Sequence, residues 1–108
     1  MARQVPDLSQ LQFLALGLLM GGERAGREVR EEARRFGVRR TRAAFYQFMA
    51  RLERDGLVEG WYEPVRAGEQ TVTERRYRLT AAGRRVWSEA RAYHAAVDRL
   101  AAGPASNA

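Results

Sequence analysis

Arginine supplies most of the chemistry this chain could perform. All 19 basic residues are Arg, against 13 acidic ones, for a formal net charge of +6. A guanidinium stays charged and presents five donors in a planar fork, so it pairs bidentately with a phosphate or with the O6 and N7 edge of guanine. The densest group is Arg39-Arg40-Thr41-Arg42, followed closely by Ala43, Tyr46 and Gln47. Gln47 has the geometry to pair with adenine, and Thr41 or Ala43 to touch a thymine methyl. Arg66, Arg75 and Arg76 form a second group, suited to following phosphates or entering a minor groove. A genome-wide codon bias accounts for the missing Lys but not for the excess positive charge. A domain this basic attracts polyanions, most often nucleic acid.

Other chemistries find little support. The chain has one His, no Cys, and Ser only at 9, 88 and 106. No nucleophile–base–acid set, metal-ligand spacing or phosphate-cradling glycine loop is visible, and Gly21-Gly22 lacks the Lys and Ser/Thr that would follow in a P-loop. The sequence therefore predicts no catalysis, metal or cofactor. The absence of Cys rules out disulfides and suits a reducing cytoplasm. The apolar run Leu11 to Met20 is too short to cross a bilayer and no small-residue cleavage site follows it, so it reads as a buried helix.

The elements that must position these arginines follow from periodicity and capping. With 45% apolar and 30% charged residues, the 108-residue chain has the balance of one folded domain. A first helix is expected from about Leu8 to Met20, capped by Asp7 and ended by Gly21-Gly22. A second spans about Gly26 to Phe36, with Val29, Ala33 and Phe36 as its apolar stripe and Gly37 as a left-handed C-cap. A third starts at Thr41, an N-cap, and runs to Asp55 before Gly56. Phe45, Phe48 or Met49, and Leu52 face the core, with the Arg-rich residues on the other side. Leu57 to Val65 and Thr71 to Leu79 read as two strands joined through Arg66-Ala67-Gly68-Glu69-Gln70, a hairpin with a basic tip. Thr80 caps a last helix ending at Gly103-Pro104. The fold class is α+β, mostly α: a winged helix-turn-helix in the order α-α-α-β-β-α.

Two segments carry a family resemblance. Phe45-Tyr46 with Arg51-Leu52-Glu53-Arg54-Asp55-Gly56-Leu57-Val58 resembles the L-Y-x-x-L-x-R-L-E-x-x-G-L-V stretch of PadR regulators. Arg76-Tyr77-Arg78-Leu79-Thr80-Ala81-Ala82-Gly83-Arg84 is similar to their R-x-Y-x-L-T-x-x-G-R, and Gly26-Arg27-Glu28-Val29 is a weaker match to G-Y-E-L. The chain departs from the pattern at Arg27, where the family carries an aromatic, and at Ala44, where it carries a small polar residue. The resemblance is to the short subgroup with one C-terminal helix. It implies a cytoplasmic DNA-binding transcriptional repressor, with Tyr46 on the DNA backbone and the last helix mediating dimerisation.

On that helix Val86, Ala90, Tyr93, Val97 and Leu100 form a heptad-like stripe that a partner helix would cover. A two-fold dimer calls for a near-palindromic operator. Residues 1–80 then form the DNA-binding region, 81–102 the dimerisation helix of the same domain, and 103–108 a tail. Some short PadR regulators hold flat aromatic drugs at the dimer interface. By that resemblance Trp87, Tyr93 and His94, with Phe13, line an effector pocket; the alternative is that Trp87 is only an interface anchor. Three further alternatives stand beside these expectations. The Arg face of the third helix is a solvated charge run, Arg75 and Arg76 pair with Glu63 and Glu74, and Arg51 and Arg54 pair with Glu53 and Asp55. At the level of function, the competing reading is a winged-helix protein-interaction module.

Overall fold

A computed structural model describes residues 5–104, so the end of the expected tail, residues 105–108, lies outside the described residues. The element order is α1 (Gln10–Leu19), β1 (Arg24–Ala25), α2 (Gly26–Arg35), α3 (Arg42–Arg54), β2 (Val58–Ala67), β3 (Gln70–Leu79) and α4 (Ala81–Ala102). This is the winged helix-turn-helix with a C-terminal helix that the periodicity predicts.

Helix boundaries follow backbone satisfaction at the ends. Ser9, rather than Asp7, caps α1: its hydroxyl accepts the Gln12 N–H at 3.1 Å, and the Gln12 side chain accepts the Ser9 N–H at 2.8 Å. That reciprocal pair satisfies two donors that a lone carboxylate three residues from Gln10 does not reach, so the helix starts two residues later than expected. Both α2 and α3 end in the same way. The Val38 N–H reaches the Ala33 carbonyl and Leu57 reaches Leu52, with Gly37 at φ +84° and Gly56 at φ +75° making the reversal. Phe36 therefore falls just beyond α2 and is 66% exposed, not part of its buried stripe.

The sheet has the order β1-β3-β2, wholly antiparallel. The two-residue strand β1 has no sequence signature of its own and exists because Arg24 and Ala25 pair with Tyr77 and Arg76. Its presence makes β3 the central strand and leaves β2 an edge, which is where Pro64 can sit without breaking a ladder. The hairpin is longer than expected, closing through Gly68-Glu69 alone, so Arg66 stands in the ladder opposite Thr71.

One core joins these parts. Leu11, Ala15, Leu16 and Leu19 of α1 meet Val29 and Ala33 of α2, Phe45, Phe48, Met49 and Leu52 of α3, Val58 of β2 and Tyr77 of β3. The first turn of α4 is fastened to the end of α3. The Thr80 hydroxyl accepts the Gly83 N–H at 2.9 Å and donates to the Gly56 carbonyl at 2.6 Å. Gly83 lies so close to the Leu57 carbonyl that a Cβ there would overlap it. Replacing Gly83 by Ala is expected to cost about 3 kcal/mol, since backbone on both sides must move. Thermal unfolding should show this as a fall in Tm of roughly 10–20 °C.

Candidate nucleic-acid interface

The leading end of α3 is built from a turn and a cap. Thr41 accepts the Ala44 N–H through its hydroxyl at 3.1 Å, fixing where the helix begins. The guanidinium of Arg30, on α2, donates from both Nε and Nη2 to the Arg40 carbonyl at 3.2 Å, tying the preceding turn to α2. Arg39, Arg40, Thr41, Arg42, Ala43 and Gln47 are all exposed. None of the three arginines forms an ion pair with another described residue; Arg42 lies 5.9 Å from the centre of the Tyr46 ring. Tyr46 is half-buried. Its ring packs edge-on to Phe45, and it lies against α2 at Gly26, where a Cβ would stand 2.8 Å from the ring and 2.9 Å from the hydroxyl.

The hairpin arginines are arranged differently. Arg66 is exposed and has no ion pair among the described residues. Arg75 reaches back to α3, where its Nη2 meets Glu53 Oε1 at 2.6 Å, and its guanidinium lies 4.7 Å from the Tyr62 ring centre and 5.4 Å from that of Tyr77. Burial works against the charge on Arg75, but the hydrogen bond to Glu53 and the neighbouring Tyr77 outweigh it and hold the guanidinium above its ordinary pKa. Arg76 pairs with Glu74 at 2.9 Å and approaches Glu63 at 3.5 Å. Pairing with Glu63 and Glu74 thus describes Arg76, whereas the partner of Arg75 is Glu53. Arg51 and Arg54 form no ion pair with Glu53, Asp55 or any other described residue.

Between α2, α3 and the hairpin lies a groove of about 600 Å³ that sequence reasoning did not anticipate. Its polar lining includes Arg27, Arg30, Arg42 and Arg75 against two acids, Glu53 and Glu74. Arg27 crosses it from α2 to Glu74 on β3 at 2.8 Å. The one sequence signal for this residue was its departure from the family's aromatic at that position.

The four aromatic residues assigned to an effector pocket do come together. Phe13 stacks on Trp87 with centroids 5.4 Å apart and meets His94 edge-on at 5.0 Å; His94 also contacts Tyr93 at 5.6 Å. The Trp87 Nε1–H donates to the Phe13 carbonyl at 3.0 Å, pinning the indole to α1. An adjoining groove of about 550 Å³ is lined by Phe13 and Trp87, with Leu14, Leu18, Phe36 and Val38, but not by Tyr93 or His94. Along the α4 stripe, Val86 is half-buried and Ala90 is buried within its own chain. Tyr93, Val97 and Leu100 remain 47%, 42% and 79% exposed. No helix among the described residues is long and apolar enough to cross a membrane, and no cluster of metal-ligating side chains forms among them.

Glu74 provides a check on this electrostatic arrangement. Burial alone would raise its pKa, but hydrogen bonds from Arg27 and Arg76 hold the carboxyl below its ordinary value of 4.5. A depressed folded-state pKa means the stabilisation is complete above the unfolded value and is lost as the pH falls through the lower folded one. Glu74→Gln should therefore melt below the parent near neutrality, by about 1–2 kcal/mol, because it loses an exposed pair with Arg27 and a sheltered one with Arg76. Melting curves across pH should show that gap closing in acid.

The sequence profile of the transcriptional regulator PadR-like family matches residues 15–89, more than half of the chain. No curated protein matches significantly. Among solved structures, the chain is similar to a PadR family transcription regulator from hypervirulent Clostridium difficile R20291, at 17% identity and a TM-score of 0.70, covering 85% of this chain and 94% of that one. A transcriptional regulator from Clostridium thermocellum matches at 18% identity, TM-score 0.64, over 93% and 100% of the two chains. Bacillus subtilis PadR in complex with operator DNA matches at 19% identity and TM-score 0.60, over 93% of this chain and 52% of that one. At these identities the structural likeness is one of fold. The family match goes further, and the chain belongs to the PadR-like family of transcriptional regulators.

Proposed function

We propose that this regulator is a sequence-specific DNA-binding repressor that acts as a homodimer in the cytoplasm. One observation carries the reading: Arg39, Arg40 and Arg42 stand exposed at the leading end of α3 without an acidic partner among the described residues. A helix of this length fits the major groove with its N-terminal residues at the base edges, and exposed guanidinium groups there suit guanine or phosphate. Thr41, Ala43 and Gln47 share that face and supply further base contacts. Tyr46 and Arg66 add backbone contacts, Arg66 from the wing. Arg75 and Arg76 are weaker contributors, because each must first leave a carboxylate. The solved complex of Bacillus subtilis PadR with operator DNA supports the general mode.

Residues 1–80 serve as the DNA-binding region and 81–102 as the dimerisation helix of the same domain. Exposed Tyr93, Val97 and Leu100 favour a partner helix on α4, with Val86 at the margin. The resulting two-fold axis gives two recognition helices and a near-palindromic operator with half-sites about one helical turn apart. Occupancy of that operator blocks transcription. A flat aromatic effector at Phe13, Trp87, Tyr93 and His94, close to the α4 stripe, would release it by altering the spacing of the two halves.

Fluorescence anisotropy tests this on a duplex from upstream of the protein's own gene and on a scrambled duplex. Preference for the native duplex by about a hundredfold, or about 3 kcal/mol, is expected. Replacing Arg40 and Arg42 by Ala should weaken binding by about 1–3 kcal/mol for each base pairing removed. The salt slope should fall by about 0.9 for each phosphate that is no longer neutralised. A variant with Val97→Asp and Leu100→Asp should sediment as a monomer and lose the preference. In a Trp61→Phe background, an aromatic effector should quench Trp87 and weaken the complex. Absence of DNA binding at low salt would refute the reading and favour a protein-interaction module.

A further inference from the structure

Three arginines of the groove between α2, α3 and the hairpin are committed in different degrees. Arg75 is held by Glu53 and lies against the rings of Tyr62 and Tyr77. Arg30 has Nε and Nη2 on the Arg40 carbonyl, which ties it to the turn before α3. Arg27 is the exposed one of the three: its side chain is 70% exposed, and among the described residues only its Nε is engaged, by Glu74 Oε1. The remaining N–H groups of its fork point to no described partner.

The carboxylate it meets is unusual in having a second cation. Glu74 is only 11% exposed and uses its other oxygen, Oε2, to accept from Arg76 at 2.9 Å. If Arg27 leaves, Glu74 keeps Arg76 and no buried charge is orphaned. An ion pair whose guanidinium is as exposed as that of Arg27 contributes little stability, about 1 kcal/mol or less, so exchanging the partner is cheap. Arg42 lines the same groove from the first turn of α3, so an anion between the two arginines sits beside the face assigned to the major groove.

We infer that this groove receives one phosphate of the DNA backbone, with Arg27 as its clamp and Glu74 as the carboxylate that the phosphate displaces. The inference rests on the DNA-binding reading and adds a contact from α2, outside both the recognition helix and the wing tip. A phosphate held in place by α3 arrives at high local concentration, which favours the exchange over capture of a free anion.

The test is DNA affinity against salt for the parent, Arg27→Ala, Glu74→Gln and the double variant, all as the full chain. Arg27→Ala is expected to weaken binding on the order of tenfold at low salt, a hydrogen bond to a charged group being worth that much. Its slope of log K against log salt should fall by about 0.9 per bound subunit. Glu74→Gln should tighten binding several-fold, and most of that gain should vanish in the double variant. If Arg27 merely ties α2 to the wing, both single variants lower the Tm and leave the salt slope at the parent value, which overturns the inference. Tightening by Glu74→Gln that persists without Arg27 overturns it too, by making Arg76 the residue released. Failure of the parent itself to bind DNA is distinguishable from both, and removes the DNA reading and this inference together.

Discussion

The ring of Tyr77 is the joint on which the geometry of this regulator turns. It sits on the central strand β3, 2% exposed, where the sheet meets α2 and α3. Two glycines make room for it. A Cβ on Gly26 would stand 3.0 Å from the ring, and one on Gly60 would stand 2.9 Å from it. Burial raises the Tyr77 pKa, with Arg75 opposing that rise, so the hydroxyl stays neutral, and the guanidinium that grips Glu53 of α3 lies 5.4 Å from the ring centre. A close-packed aromatic with a polar tip resists small displacements from either side. The pitch of the hairpin against the recognition helix is thereby set by packing within one chain. That is what a protein needs if two separate elements are to meet one duplex in register.

Charge is distributed over this frame unevenly. The arginines of the α3 leading end face solvent unpaired among the described residues, whereas Arg75, Arg76 and Arg78 of β3 each have a carboxylate. Arg78 is paired with Glu59 and lies 5.4 Å from the Trp61 ring centre. The same residue type thus performs two tasks. On β3 the guanidinium groups brace a thin two-stranded ribbon whose outer half has little apolar packing, and on α3 they remain available. Position within the fold, more than the count of positive residues, separates the bracing arginines from those free to meet a polyanion.

Much of this was legible in the sequence because it depends on local rules. Thr41 and Thr80 announce their helices by side-chain capping, Gly37 and Gly56 end theirs, and the 3.6-residue recurrence of Phe45, Phe48, Met49 and Leu52 identifies the buried side of α3. Where the structure differs, a non-local partner decides in most cases. The strand β1 is too short for any periodicity and is defined by β3. The arginines were visible as a set, but Arg75 finds Glu53 some twenty residues away in sequence and Arg27 finds Glu74 across the fold. Such long-range pairings leave no spacing signal in a single chain. Two differences are local instead. Ser9 wins the α1 cap through Gln12, and Phe36 fits the stripe of α2 by spacing, yet the turn made by Gly37 ends the helix before it.

In the proposed assembly α3 and the outer hairpin, held together through Tyr77, face one DNA duplex, while α4 faces a second copy. Amide hydrogen exchange measured with and without duplex at low salt tests it most directly, because phosphate contacts alone suffice for binding there. DNA is expected to slow exchange over residues 39–47 and along the hairpin around Arg66, with the exposed end of α4 unchanged between the two states. Protection confined to α4, or spread over neither α3 nor the hairpin while the duplex remains bound, would contradict it.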